Sequence, residues 1–148
     1  MTGTLTHRPN AIMRQLLIDQ SLGSNGDTTD WPVYAGREPD TPDNVITVYN
    51  TSPVYQGRFM TNGEVQERPG IMIRVRGTTE AVVHTKIDAI RNALDKSINI
   101  QQVNVSTSIY IVHSVSRTSG PIFLGKDLPN SERNAATLNV TVALTQDS

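Results

Sequence analysis

The chain has 148 residues, of which 36% are hydrophobic and only 5% aromatic, and 13 basic and 14 acidic side chains leave a net charge of −1. This charge balance disfavours bulk binding to nucleic acid or to an anionic membrane. The lack of cysteine excludes disulfides and thiolate metal sites.

Size and hydropathy predict one domain over residues 1–148, with a lean aliphatic core to which association would add burial. The N-terminus lacks the apolar stretch of a signal peptide. No apolar run approaches the roughly 18 residues that a membrane span needs. We therefore expect a soluble protein that has no membrane partner.

The N-terminal part alternates turn-rich loops with short ordered segments. Residues 1–8 are polar and are expected to be loose, and Pro9 opens a predicted helix that runs to about Ser21. Strands are predicted for residues 32–36 and 45–50, because the second run is rich in residues of high strand propensity.

A long connection over residues 51–70 follows the second strand. Asn62 and Gly63 are typical of a tight hairpin turn, so we expect a hairpin arm that projects from the body. Several of its apolar side chains would be poorly buried on such an arm unless a partner subunit covered them. These side chains are Tyr55, Phe59, Met60 and Val65.

The clearest periodic signals adjoin within residues 70–97. Every second residue from Ile71 to Val75 is β-branched, which predicts a strand with one buried face. Thr78 or Thr79 is then placed to cap a helix. The apolar stripe of this helix has helical spacing. It consists of Val83, Ile87, Ile90, Leu94 and Ile98.

The sequence of the C-terminal part predicts several strands. Residues 100–105 predict a ragged strand, residues 107–117 a better one in which His113 interrupts an apolar face, and residues 122–124 a short apolar step. The final strand should point four residues inward: Leu138, Val140, Val142 and Leu144. The element order predicts an α+β fold, a mostly antiparallel sheet with two helices packed on one face plus the projecting hairpin arm.

No residue pattern predicts catalysis, a cofactor or a metal site. His7, His84 and His113 have no spacing that would clamp a metal, and no serine lies in a nucleophile elbow. No glycine cluster forms a phosphate loop. We expect no enzyme activity and no cofactor, and a small hydrolase or ligand-binding domain whose groups converge only on folding remains a remote alternative.

Two arginines lie on the outward side of the predicted strand over residues 71–76. Arg74 and Arg76 belong either to a solvated sheet face or to ion pairs with a neighbouring chain. Arg58, Arg68 and Arg117 extend the second interpretation, which predicts that Arg76→Glu weakens assembly more than it lowers subunit stability.

Five segments follow one another in a recognisable order: VITVYNTSP, GRFMTNGEVQERPGIMIRVRG, IDAIRNALD, HSVSRTSGPIFLGKD and LNVTVAL. Their order resembles that of the tail terminator proteins of long-tailed bacteriophages, which are also labelled tail completion or minor capsid proteins. The likeness covers residues 9–146, and none of its segments is an enzymatic signature.

The resemblance implies a homo-oligomeric ring, a homohexamer, at the head-proximal end of the phage tail tube. Such a ring ends tube polymerisation and joins the tail to the head connector, so the tube protein and the connector or neck protein are the expected partners. DNA would pass through the lumen only as cargo. The protein would be assembled in the host cytoplasm and located in the virion, and the alternative is a neck adaptor that binds the portal complex.

The resemblance brings no catalytic residues and directs attention to loops and sheet edges. The candidates for contact with another subunit or partner are Tyr55, Arg58, Phe59, Met60, Glu64, Glu67, Arg74, Arg76, Arg117, Lys126 and Asp127.

Overall fold

The computed structural model describes most of the chain, namely residues 7–25, 31–39, 43–54, 68–97, 101–118, 120–126 and 133–147. These residues form two α-helices, one π-helical turn and eight strands of a single sheet. The helices are α1 (Pro9–Asp19) and α2 (Glu80–Asn92), and α2 runs on into the π-helical turn Ala93–Ser97. The strands are β1 (Ser24–Asn25), β2 (Pro32–Ala35), β3 (Val45–Val54), β4 (Arg68–Gly77), β5 (Gln101–Val105), β6 (Ser108–Arg117), β7 (Ile122–Lys126) and β8 (Asn134–Asp147).

The sheet is mixed but mostly antiparallel. Its strand order is β1-β2-β3-β4-β8-β6-β5, and β7 pairs with β8 on the same side as β6. The β1–β2 and β2–β3 pairs are parallel, and the other pairs among the described residues are antiparallel. The predicted α+β class is confirmed, and parallel pairing is confined to the β1 end of the sheet.

Both helices pack on one face of the sheet. The alternation predicted for β4 is confirmed, because Ile71, Ile73 and Val75 are all buried in the same core cluster as the apolar stripes of the helices. Each such side chain contributes about 1.5–3 kcal/mol when it leaves water. The predicted inward residues of β8 are buried as well: Leu138, Val140, Val142 and Leu144. We call this face, which the helices cover, the inner face.

Helix α2 begins at a side-chain cap. The Thr79 side chain accepts a hydrogen bond from the Val82 backbone N–H at 3.3 Å, which satisfies one of the free N–H groups of the first turn. Glu80 in the first turn and Arg91 in the last turn both complement the helix dipole. Of the two predicted caps the structure therefore selects Thr79, while Ile98 lies outside the described residues.

Helix α1 is held at its start by long-range hydrogen bonds. Pro9 occupies the first turn as predicted, and the Asn10 backbone N–H donates to Asn50 Oδ1 at 2.9 Å. The His7 backbone N–H donates to the Tyr110 hydroxyl at 2.9 Å, so the phenol of this buried tyrosine has a partner. His7 is thus bonded to the body of the fold, while residues 1–6 lie outside the described part and their expected looseness stays a prediction.

The link from β2 to β3 crosses the face opposite to the helices, which we call the outer face. Parallel neighbours need a crossover connection, and here Glu38 and the Asp43 carbonyl accept hydrogen bonds from outward side chains of β4. Gly36 starts the crossover with φ +80°, and its N–H donates to the Val48 carbonyl at 2.8 Å. The sheet thus has helices on one side and described residues of the β2–β3 link on the other.

The two strands at the base of the predicted arm are longer than expected. β3 and β4 remain paired as far as Val54 and Arg68, with an irregularity between Thr51 and Val54. Residues 51–54 and 68–70 therefore belong to the sheet and not to a connection. The rest of the predicted arm, residues 55–67, lies outside the described residues.

β6 changes its side-chain alternation at a bulge between Val112 and Ser114. Tyr110 and Val112 are buried in the core, whereas His113 lies on the outer face with its Nε2 3.0 Å from Thr145 Oγ1. His113 therefore interrupts the outward side chains of β6 and not the core-facing ones.

Candidate interaction surfaces

The outer face carries a cluster of three charged side chains, which we call the arginine clasp: Glu38, Arg74 and Arg76. Arg74 Nε donates to Glu38 Oε2 at 2.6 Å, and Arg76 Nη1 donates to Glu38 Oε1 at 2.8 Å. Arg76 Nε also donates to the Asp43 carbonyl at 3.3 Å. The clasp thus fastens both described ends of the crossover loop to β4.

The arginine clasp is formed by the register of the sheet and the reach of the loop. Arg74 and Arg76 are two residues apart on one strand, so both point outward, and the crossover loop brings Glu38 above them. Each oxygen of one carboxylate receives a charge-assisted hydrogen bond, the stronger kind of such bonds. The three side chains keep a formal charge of +1.

The environment of the arginine clasp also changes the titration of a neighbouring tyrosine. Burial raises the pKa of Tyr49 above its ordinary value, and the negative charge of Glu38 raises it further. Arg74 and Arg76 act in the opposite direction without cancelling the effect. The phenol of Tyr49 therefore stays neutral to a higher pH in the folded protein than in the unfolded chain.

Of the two interpretations offered for the arginines, a solvated face is wrong for Arg76, which is 2% exposed. Its ionic partner Glu38 belongs to the same chain, and contact with a neighbouring chain stays a prediction for Arg74 and Arg76. The expected effect of Arg76→Glu must also be corrected. The substitution would set a second carboxylate beside Glu38 in a buried position, so subunit stability would fall before assembly could be compared.

A second surface lies on β7 and consists of Ile122, Phe123 and Leu124, which we call the apolar strip. These side chains are 47%, 43% and 50% exposed, and they are the large hydrophobic residues that the described part of the chain leaves exposed. β7 pairs with β8 along one edge, and no described strand pairs with its other edge. An exposed apolar patch on an open strand edge is typical of an association site.

Helix α2 fixes the position of Phe123. The Phe123 ring stacks on the ring of His84 with centroids 5.3 Å apart and an interplanar angle of 26°. His84 Nε2 lies 3.0 Å from Asp88 Oδ2, and Arg91 Nη2 lies 3.3 Å from Asp88 Oδ1. The apolar strip is therefore held in the fold by the pairing of β7 with β8 and by the stacking of Phe123 on His84.

The other predicted contact residues are distributed over separate places. Arg117 Nε pairs with Asp95 Oδ1 at 3.0 Å, which joins the end of β6 to the π-helical turn. Lys126 is the last residue of β7, and Asp127 lies outside the described residues. The same holds for Tyr55, Arg58, Phe59, Met60, Glu64 and Glu67. The structure therefore brings Arg74 and Arg76 together and keeps Arg117 in a different ion pair.

Sequence reasoning missed the acidic member of the arginine clasp and the exposure of the apolar strip. Glu38 lies in a loop without periodicity. Nothing in the sequence around it indicates contact with Arg74 and Arg76, which are 36 and 38 positions further along the chain. A signal for the apolar strip did exist, because three consecutive apolar residues cannot all face inward on a strand.

Two features of the described residues bear on metal and ligand binding. No three His, Cys, Asp or Glu residues within the described ranges come close enough to hold a metal ion. A crevice between α1 and the sheet is lined by apolar residues alone: Pro9, Ile12, Met13, Leu16, Pro69, Ile71, Val112, Val142 and Leu144. Neither described helix has the length and apolar content that a membrane span requires.

Comparison with known proteins gives one family. The family model described as "Bacteriophage tail terminator protein" matches residues 16–146, nearly the whole chain, and this confirms the resemblance noted in the sequence. No curated protein matches the chain. A solved structure that carries no functional description is 12% identical, with a TM-score of 0.48, over 93% of this chain and 96% of its own. The chain therefore belongs to the bacteriophage tail terminator family and is a structural component of the virion tail.

Proposed function

We propose that the protein forms a homohexameric ring at the head-proximal end of the phage tail tube, where it ends tube polymerisation and joins the tail to the head connector. The observation that carries this proposal is the family match over residues 16–146. The tube protein and the connector protein are the partners on the two sides of the ring. DNA passes through its lumen as cargo.

The form of the subunit supports association. A ring is built from heterologous contacts, in which each subunit presents two different surfaces that complement each other. The described sheet ends in short, open strands, β1 on one side and β5 on the other, and its core is aliphatic and lean. Burial at subunit contacts adds to the stability that such a core supplies.

The arm supplies one of the proposed contacts. β3 and β4 carry the chain as a paired ribbon to Val54 and Arg68, and residues 55–67 follow from the end of that ribbon. We assign the contact with a neighbouring subunit to side chains of this segment and to the more exposed arginine of the clasp. They are Tyr55, Arg58, Phe59, Met60, Glu64, Glu67 and Arg74. Arg117, Lys126 and Asp127, which flank the apolar strip, supply a second contact.

The charge distribution suits a ring through which DNA moves. A strongly basic subunit would hold DNA through counterion release, whereas this chain has a net charge of −1. Arg74 and Arg76 on the outer face share the carboxylate of Glu38, which reduces the positive charge of that face. Weak interaction with the phosphate backbone allows DNA to pass.

Ring formation is tested by native mass spectrometry and negative-stain microscopy of the purified protein, with and without tube protein. We expect closed rings, and tubes of defined length when the protein is present. Phe59→Asp should reduce ring formation, whereas Thr107→Asp in the exposed turn between β5 and β6 should leave it unchanged. A protein that stays monomeric at all concentrations and does not limit tube length would contradict the proposal.

Labelling in phage particles separates this function from that of a neck adaptor. A terminator is expected on isolated tails that have not yet met a head. A signal on tail-less heads instead would assign the protein to the portal side and replace the proposed role in ending the tube.

A further inference from the structure

The edge of β7 that points away from β8 is open. One edge of β7 pairs with β8 through Ile122–Thr137 and Phe123–Ala136. No described strand lies along its opposite edge. An open edge presents unpaired backbone N–H and C=O groups that another strand can bind. From Ile122 to Gly125 the strand contains neither a charged residue nor a proline, and its one described irregularity is the bulge between Phe123 and Gly125.

The apolar strip faces both sides of the sheet. Ile122 pairs with Thr137, which also pairs with Arg74, so Ile122 belongs to the outer face. Phe123 stacks on His84 of α2, which places it on the inner side. A partner that packed on only one face of the sheet would leave the side chains of the other face exposed to water. A strand beside β7 covers both faces and binds its backbone as well.

We propose that β7 pairs antiparallel with β7 of a second copy of the chain, about a twofold axis at Phe123. A contact of this symmetry requires a surface that complements itself. With Phe123 on the axis, Phe123 lies opposite Phe123 of the second copy, and Ile122 lies opposite Leu124. Lys126, the charged residue of β7, lies beyond the bulge and three residues from the axis, so it does not lie opposite Lys126 of the second copy.

The chemistry of another open edge of the same sheet is less suitable. β5 presents Gln102 and Asn104 as exposed side chains, and a pairing of β7 with β5 would set amide groups against the apolar strip. Self-pairing opposes apolar to apolar at all three positions. Charge and hydrophobicity therefore both favour β7 of a second copy as the occupant.

The strand arrangement leaves space for this contact. β6 pairs with residues 140–147 of β8, whereas β7 pairs with residues 134–137. β5 pairs with β6 only over Ser108–Val112, at the far end of β8 from β7. No described strand therefore occupies the position beside β7.

A twofold contact closes after two copies, so it is distinct from the heterologous contacts of the proposed ring. It joins two free subunits or subunits of two rings, and it keeps the apolar strip out of water in the isolated protein. The inference goes beyond the proposed function and does not depend on the number of subunits in a ring.

The chain contains no cysteine, so single cysteines report the contact directly. Directly opposite residues of an antiparallel pair have Cα atoms about 4.5–5.5 Å apart, within the range of about 4.4–6.8 Å that disulfides span. Phe123→Cys should form a disulfide-linked dimer on mild oxidation at micromolar concentration. Asn104→Cys, on the open edge of β5, is the matched control, and we expect it to crosslink about tenfold more slowly.

A mixing experiment tests the register and retains the Phe123 side chain. Ile122→Cys protein mixed with Leu124→Cys protein should give linked heterodimers, whereas each variant alone should crosslink much less. Equal crosslinking of Phe123→Cys and Asn104→Cys would overturn the proposal, and so would equal yields from mixed and unmixed proteins. Rings seen by microscopy without these crosslinks would leave the proposed function standing and refute only the twofold contact.

Discussion

The two faces of β4 are covered in different ways. On the inner face Ile71, Ile73 and Val75 pack against both helices in one hydrophobic cluster. On the outer face Arg74 and Arg76 bind Glu38 of a crossover loop whose described residues are neither helix nor strand. One strand is therefore held by hydrocarbon burial on one side and by a nearly buried ionic cluster on the other.

This difference separates a robust interaction from a conditional one. Hydrophobic burial is non-directional and depends mainly on the area removed from water. A buried ionic cluster stabilises the fold only while every partner is in place, because an unpaired buried charge costs several kcal/mol. The four predictions that follow compare the two faces, in order of decreasing effect.

Ile73→Ala tests the inner face and should have the largest effect. Ile73 is fully buried, and its truncation removes apolar contacts and leaves a cavity, so we expect a loss of about 4 kcal/mol in the free energy of unfolding. Urea-induced unfolding at one fixed protein concentration measures it. Met72→Ala, on the half-buried outer side of the same strand, should lose clearly less, and an equal loss would show that the faces do not differ.

Glu38→Ala tests the outer face. It leaves the guanidinium of Arg76 nearly buried without its carboxylate, and we expect a loss of about 3 kcal/mol, the lower end for a buried pair because the Glu38 side chain keeps 14% exposure. Asp95→Ala is the control, since it breaks the half-exposed pair with Arg117 and should cost at most about 1 kcal/mol. Unfolding curves that coincide for both variants would show that the arginine clasp stabilises the fold no more than the half-exposed Arg117–Asp95 pair.

Thr79→Ala tests the cap of the helix that covers the inner face. The side-chain hydrogen bond to the Val82 N–H is lost, and the expected cost is about 1 kcal/mol. Thr78→Ala is a matched control, because only the backbone N–H of Thr78 is bonded, to Asn44 Oδ1 at 3.1 Å. If Thr78→Ala were the more destabilising of the two, the cap would be assigned to the wrong residue.

Tyr49→Phe tests the electrostatics of the outer face at alkaline pH and should have the smallest effect. Since the pKa of Tyr49 is raised in the folded state from 10.0, the unfolded chain loses this proton first as the pH rises. The unfolded state then binds fewer protons, so stability must fall with rising pH above about 10. The variant should show a shallower fall in the same pH series, and parallel curves would contradict the assignment.

Most of the inner face could be predicted from the sequence. The alternation of β4 and β8 and the apolar stripe of α2 are local patterns of period 2 and 3.6, and burial follows such periods directly. Confirmed by the structure are the Pro9 start of α1, one of two proposed caps for α2 and the inward side chains of the last strand.

The rest depended on contacts that no local pattern records. Glu38 meets Arg76 from a loop, and β2 lies parallel to β3 although only a short link joins them. The bulge in β6 reverses which side chains face the core after Val112. Of the candidate contact residues, Arg74, Arg76 and Arg117 form ion pairs within their own chain, and the use of all the candidates in assembly stays a prediction.

β8 is the last described element in the chain, yet it lies in the middle of the sheet, where it pairs with β4, β6 and β7. During synthesis the earlier strands must therefore wait for residues 134–147 before the sheet can close. Pairing between strands so distant along the chain is slow to form. A chain that ends before this segment would leave the edges of β4, β6 and β7 that face β8 unpaired, which makes it a substrate for aggregation or for a chaperone.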